Sequence, residues 1–209
     1  MRTVLPIIGI LAAAFFQPLE SFAAEKKLFD GETLAGWEGN TNLWRVENGA
    51  IVAGWINRLQ PRNDFLVTTQ EFHNFHLRLQ FKLEGTNGFV NGGVQFWSQR
   101  ITNSFEMIGY QADIGEDYYG GLYDEMRRKK VLQMPSKRLQ KKLVTAGDWN
   151  EYQIRAQGGH IEEWLNGGKT ADYAETEQNI PTRGKLGLQI HGGAYTKVQY
   201  RKILIEELP

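Results

Sequence analysis

His73–Glu84, HNFHLRLQFKLE, is the stretch that decides the fold. Phe75, Leu77, Leu79, Phe81 and Leu83 alternate without a break with His76, Arg78, Gln80, Lys82 and Glu84. A strict period of two sends the first set to one face and the second to the other, which describes a β-strand with one side on a core and the other in water. A helix would need its apolar residues three and four apart. Working outward, the same alternation returns. In Lys185–His191, Leu186, Leu188 and Ile190 face inward while Gln189 and His191 face outward. In Met107–Asp113, Ile108, Tyr110 and Ala112 share one face, so Gln111 and Asp113 share the other. Gln95 and Trp97 form a third such pair, on the strand Val94–Trp97.

Turn signals separate these runs. Asn48-Gly49, Gly158-Gly159 and Asn166-Gly167 each stand between apolar segments, the strongest short-range hairpin signal. Near the C-terminus the apolar phase slips from Val198 and Tyr200 to Ile203 and Ile205, which predicts a bulge at Arg201-Lys202. The glycine-rich GTNGFVNGG of residues 85–93 leads into a strand rather than a helix, so it reads as a turn and not as a phosphate cradle. No helix-period segment follows the N-terminal region. The expectation is an all-β domain, two antiparallel sheets packed as a jelly-roll sandwich, in which one sheet face is free to bind a ligand. Trp37, Trp44 and Trp149 are expected in its core.

The N-terminus reads differently. Arg2, the apolar run Val4–Phe16 and Ser21-Phe22-Ala23 have the form of a secretory signal peptide over residues 1–23, leaving one domain over 24–209 that is secreted or periplasmic. The chain has no cysteine, which removes disulfides, thiol nucleophiles, thiolate zinc sites and a lipid-attachment cysteine as a membrane anchor. A domain of this size buries enough apolar surface to fold without staples. Lys plus Arg is 24 and Asp plus Glu is 24, so no global field draws the protein to nucleic acid or a membrane. The basic run from Arg127 to Lys142 has no aromatics between Arg128 and Lys142 to stack bases, and is expected to be a solvated loop, Arg127 and Arg128 excepted.

Several motifs, taken in order, resemble one family. They are LFDGETLAGW (28–37), LWRVENGAIVAG (43–54), FHLRLQFKLEGTNGFVNGGVQFWSQR (75–100), GYQADIG (109–115), GGLYDEMRR (120–128), GDWNEYQIRAQGGHIEEWLNG (147–167) and LGLQIHGG (186–193). Together they are similar to the 3-keto-disaccharide hydrolase family, from about Lys27 to Leu208. The resemblance implies a concanavalin A-like jelly roll. It also implies an exported protein that cleaves glycosides whose C3 hydroxyl has been oxidised to a ketone by a separate sugar 3-dehydrogenase.

Such a substrate sets the chemistry. The ketone acidifies the C2 proton; its loss gives an enolate that can expel the C1 substituent, and water then adds to the unsaturated ketone. This route needs a base near C2, a positive or hydrogen-bonding group at the ketone oxygen and a proton donor for the leaving group. Asp113 or His191 is the expected base, with Glu125 as a competing carboxylate and Arg127 as the enolate-stabilising cation. Gln95, Gln111, Gln189 and Arg128 are expected to hold the sugar, with Trp97, Tyr119 and Tyr123 offering flat faces to its C–H groups. Asp113, His191 and Glu125 are also acceptable ligands for a divalent metal, but no HxH, HExxH or DxDxDG spacing occurs, and no cofactor is expected. The competing reading is a non-catalytic, lectin-like carbohydrate-binding module on the same fold.

Overall fold

The computed structural model describes residues 24–209; the expected signal peptide lies outside the described residues. Strands are numbered in chain order. One sheet runs, edge to edge, through β13 (Gly168–Ala174), β12 (His160–Leu165), β11 (Asn150–Gln157), β6 (Phe75–Thr86), β15 (Tyr195–Glu207), β4 (Ala50–Gly54) and β3 (Arg45–Glu47), with β1 (Lys26–Lys27) also paired to β15. The second runs through β10 (Lys130–Gln133), β9 (Leu122–Glu125), β8 (Met107–Gly115), β7 (Asn91–Arg100), β14 (Gly184–Ile190), β5 (Asp64–Phe72) and β2 (Trp37–Glu38). Every pairing is antiparallel; the central neighbours β11–β6, β6–β15, β7–β14 and β14–β5 come from distant parts of the chain, as in a jelly roll, while consecutive strands pair towards the edges.

The alternation that defines β6 is met in full. Phe75, Leu77, Leu79, Phe81 and Leu83 are buried, and the residues between them are half-exposed. Their partners across the sandwich are the inward residues of the second sheet, among them Val94, Phe96, Tyr110, Ala112, Leu122, Leu186, Leu188 and Ile190, in one continuous core. The three hairpins form where the turn signals stand, joining β3 to β4, β11 to β12 and β12 to β13. The register of β15 against β6 shifts between Arg201 and Leu204, and Lys202 takes a φ of 50° at the expected bulge.

Tyr200 links the two layers. From the inner face of β15 its hydroxyl donates to the carbonyl oxygens of Gln189 (2.8 Å) and Gly93 (3.1 Å), beneath the two central strands of the second sheet. A side chain on Gly92 would collide with that hydroxyl and with the Gln189 carbonyl, so glycine is required there.

Two expectations need correction. The basic run is not simply loop: it contains β10 and a short helix, α1 (Lys137–Leu143), capped by Ser136, whose Oγ accepts from the Leu139 amide at 3.3 Å. Seven residues are too few for a periodic signal to stand out. Trp149 is not core but half-exposed, with the Arg201 guanidinium 3.8 Å above its ring. Covering an indole with a long cationic side chain satisfies it as well as burial does.

Candidate active site

Register brings the outward residues of the second sheet into rows. Gln189 on β14 pairs with Gly93 on β7, and Gly93 with Asp113 on β8. In the next row Gly187, Gln95, Gln111 and Tyr123 follow across β14, β7, β8 and β9. Glu125 lies one step further along β9, opposite Gly109. The residues between these belong to the core, so the rows occupy the outer face. At the far side of that face Phe65, Val67 and Met107 make a separate small apolar cluster.

Glycine makes the floor possible. The Gln111 side chain lies over Gly93, where a Cβ would come within 2.6 Å of its amide carbon. This lets a hydrogen-bonded line run across two strands, β7 and β8. Ser98 Oγ donates to Gln95 Oε1 (2.7 Å), Gln95 Nε2 donates to Gln111 Oε1 (2.9 Å), and Gln111 Nε2 donates to Asp113 Oδ1 (2.8 Å). The line sets which way each amide points, so both the proton acceptor and the donors around it are held in place. Gln189 stands outside it: its side chain is fully buried and neither amide atom has a partner. An unpartnered amide on the floor of a ligand face is a donor and an acceptor in reserve.

The carboxyl groups here are strongly perturbed. Burial pushes Asp113 up to about 8; the Gln111 hydrogen bond opposes the shift and the nearby Glu125 adds to it. Burial likewise pushes Glu125 up to about 7, helped by the charge of Glu106. Glu106 is itself held by Asn63, whose Nδ2 donates to Oε1 at 3.2 Å. The Tyr123 hydroxyl is raised by burial and by the charges of Glu125 and Asp113, so it stays protonated beside them.

His191 leaves the end of β14 on the same side as Gln189. Its backbone N–H donates to Asn91 O (3.0 Å), and its Nδ1 lies 2.7 Å from Gly192 O. A carbonyl only accepts, so Nδ1 carries the proton and Nε2 is the nitrogen left with a free lone pair. The imidazole packs edge-to-face with Phe89, centroids 4.8 Å apart, and Phe89 does the same with Tyr118 at 5.5 Å.

Seven of the expected site residues therefore share this face: Asp113, His191, Glu125, Gln95, Gln111, Gln189 and Tyr123. Four do not. Trp97 is buried in the core, where its indole N–H donates to His73 O (2.5 Å) and its ring packs against Phe75 and Tyr110. Strand parity fails for it because the β7–β8 register shifts between Phe96 and Gln99, and Trp97 itself takes a φ of 45°. Tyr119 stacks on core Phe81 and lines a separate cavity of about 650 Å³ with Val90 and Gln140. Arg127 and Arg128 turn to the opposite side of the sheet. There Arg127 sits 4.6 Å over the inward-facing Tyr110 ring and both guanidiniums grip Asp124. Their acidic partners lie on the core side of β9 and at the end of β13, so both cations stand on the other side of the sheet from Asp113.

Asn63, Glu106, Phe89 and Tyr118 join the site without having been expected there. An exposed phenylalanine in a glycine-rich loop was the available signal for Phe89. Nothing in the Tyr118-Tyr119 pair says which ring faces out. Among the described residues the one acidic and histidine group close enough to share an ion is His160, Glu162 and Asp172, where the Lys169 ammonium already bridges the two carboxylates. Asp113, His191 and Glu125 do not form such a group.

The family match over residues 24–206 makes this jelly roll a carbohydrate-related domain. Its fold is shared with a Parabacteroides distasonis protein assigned by name to the glycosyl hydrolases (TM-score 0.67, 23% identity, 88% of this chain and 94% of that one). It is shared also with the carbohydrate-binding module CBM66 of Bacillus subtilis (TM-score 0.64, 14% identity, 82% and 96%) and the β-glucanase of Bacillus licheniformis (TM-score 0.57, 12% identity, 91% and 100%). No curated protein matches the sequence. The chain belongs to the 3-keto-α-glucoside-1,2-lyase-like domain family, whose domain matches residues 24–206.

Proposed function

We propose that the protein cleaves 3-keto-glycosides by elimination and hydration, with Asp113 as the base. The observation that carries this reading is a buried carboxyl raised to about 8 and oriented by an amide line on the outer face of the second sheet. A carboxylate that water barely stabilises is a far stronger base than a solvated one, which is what removal of a carbon-bound proton requires. In the first step Asp113 takes the C2 proton, the C1=C2 bond forms and the C1–O bond breaks. Tyr123, a phenol that stays protonated where Asp113 is ionised, gives the leaving oxygen its proton. In the second step water adds its hydroxyl to C1 and a proton returns to C2, so the net change is hydrolysis.

The ketone oxygen gathers the charge of the enolate. With Arg127 on the other side of the sheet, the Gln189 amide takes the stabilising role: its N–H groups are uncommitted and its row contains Asp113. Gln189→Leu, close in size and without donors, is expected to lower kcat/KM about 10²–10³-fold, the range for loss of one such donor. Steady-state kinetics on a 3-keto-glucoside checks it, and a change under threefold removes Gln189 from the mechanism.

The deciding experiment gives the purified protein 3-keto-trehalose beside trehalose and follows release of glucose in D₂O. Release from the keto sugar alone, with deuterium at C2 of the product, is the expected result. Release without deuterium replaces elimination by direct hydrolysis. Binding of plain trehalose with no release from either would instead make the protein a lectin-like module. In the cell we place the protein outside the cytoplasm, downstream of an enzyme that oxidises the sugar at C3.

A further inference from the structure

We infer that the turn between β7 and β8, residues 101–106, is a strap laid across the candidate site, and that Asn63 is the positioning residue that latches it. The inference rests on the reading of Asp113 and Gln189 as groups that touch substrate, because a substrate reaches them only when the strap lifts.

The floor is covered. Gln95 and Gln189 are fully buried and Asp113 is 5% exposed, although all three stand in the rows of the outer face. Register shows which segment lies over them. The turn leaves β7 beside the first residues of β14, where Ser98 pairs with Lys185. Its tip reaches β5 at the other end of β14. Ser104 and Phe105 face Asp64 and Phe65 there across a cavity of about 430 Å³, and Asp64 pairs with Ile190. The strap therefore runs along β14. Met107, at its base, lies against Gly187, where a Cβ would come within 2.9 Å of the sulfur. Glu106 next to it is held by Asn63 beside Gly192. Gln189 lies between those two points, beneath the crossing.

Few contacts fasten it. The bonds of its own backbone are internal: Ile101 N–H donates to Glu106 O and Ser104 N–H to Ile101 O, both at 3.1 Å, so the turn can move as a unit. Arg100 anchors the strand before it, its Nη2 donating to Phe65 O at 3.0 Å and Glu38 O at 3.2 Å, which places the hinge after Arg100. Beneath the tip is the cavity rather than packed side chains. Two neighbouring pairs close the strap. The Arg62 guanidinium lies 4.5 Å from the centre of the exposed Phe105 ring. Asn63 makes the more specific contact: its Nδ2 donates to both Glu106 oxygens, at 3.2 and 3.3 Å, while its Oδ1 accepts from Gly192 N–H at 3.0 Å. One amide thus ties the strap to the end of β14 beside His191. Opening exchanges these bonds for bonds to water, a modest net cost, and closing over a bound sugar shuts water out of the site.

The chain has no cysteine, so one introduced thiol reports the opening. Gln189→Cys is labelled with a methanethiosulfonate reagent, with and without Asn63→Ala. Ala156→Cys, buried in the core on β11, serves as the reporter of global unfolding. Asn63→Ala is expected to speed labelling at position 189 about tenfold, the effect of losing hydrogen bonds to a charged group, and to leave position 156 unchanged. No acceleration at position 189, or equal acceleration at both positions, overturns the strap. Catalysis is read separately, with Asn63→Cys and Glu106→Cys bridged by a short bis-methanethiosulfonate and released by reductant. The bridged form is expected to cleave a 3-keto-glucoside about tenfold or more slowly than the released form, because a fixed strap blocks entry. Equal rates, or a pair that does not bridge, overturn the latch. If neither form cleaves while position 189 responds as expected, the Asp113 reading fails and the strap stands.

Discussion

Replacing Asp113 with asparagine is expected to lower kcat/KM on a 3-keto-glycoside by about 10²–10⁴, the contribution of a well-placed general base. Asparagine keeps the size and the acceptor oxygen, so the line from Ser98 through Gln95 and Gln111 can persist and the floor stays in place. What disappears is the ability to take the C2 proton. Steady-state kinetics beside a circular dichroism melt separates the two contributions. A variant keeping a third or more of wild-type activity would move the base to His191 or Glu125.

The pH behaviour carries the same assignment and has two opposite signs. A general base acts in its ionised form, so under the proposed assignment kcat/KM should climb as Asp113 loses its proton around pH 8 and flatten above it. Stability runs the other way. Asp113 has a folded-state pKa above its unfolded value near 3.9, so the folded protein holds the proton more tightly. That contribution is complete below about pH 4 and is lost as pH rises through about 8. Asp113→Asn removes this loss, and its melting temperature should match or exceed wild type at pH 8–9. A base held where its charged form is least welcome is a cost in stability that catalysis requires. Buried Glu163, which accepts from Tyr152 at 3.2 Å, is raised well above the carboxylate range mainly by burial and adds to the alkaline-side loss.

How much of this could be seen in the sequence depended on whether a residue lay on regular strand. Gln111 and Asp113, Gln189 and His191 sit on unbroken alternation, and parity placed each pair together. Trp97 sits just past a register shift, where counting by two fails, and a residue expected outside is buried inside. Arg127 and Arg128 follow a four-residue strand, β9, whose end leaves too little pattern to assign a side. The charge of Arg127 suggested a role at an enolate, but charge type says nothing about which face a guanidinium reaches. The position of Gln189 is legible from strand parity; its lack of any partner appears only when every neighbour is in place. Convergence of three strands on one carboxyl is long-range information, and one sequence carries it weakly.

Arg128 shows what those arginines do instead, and its loss should be the largest effect on stability. Its guanidinium is mostly buried and bridges fully buried Asp124, Glu175 at 2.6 Å and Glu177 at 3.1 Å. Glu175 also accepts from the Tyr110 hydroxyl at 2.5 Å, so the bridge ties β8 and β9 of the second sheet to the end of β13 in the first. Arg128→Met keeps much of the side-chain length and leaves buried carboxylates short of a partner, which costs about 3–5 kcal/mol. The lower end applies, because Asp124 retains Arg127 at 2.9 Å and Glu175 retains Tyr110. Burial alone would raise Glu175, but the hydrogen bonds from Arg128 and Tyr110 outweigh it and hold the group down at about 2. A lowered folded-state pKa gives stability that is present above about pH 4.5 and lost as pH falls towards 2. Urea unfolding at pH 7 and pH 3 should therefore show a wide gap between wild type and Arg128→Met at neutral pH and a narrow one in acid. Activity measured where both are folded should change less than twofold. A large fall in kcat at full stability would return Arg128 to the substrate side of the sheet.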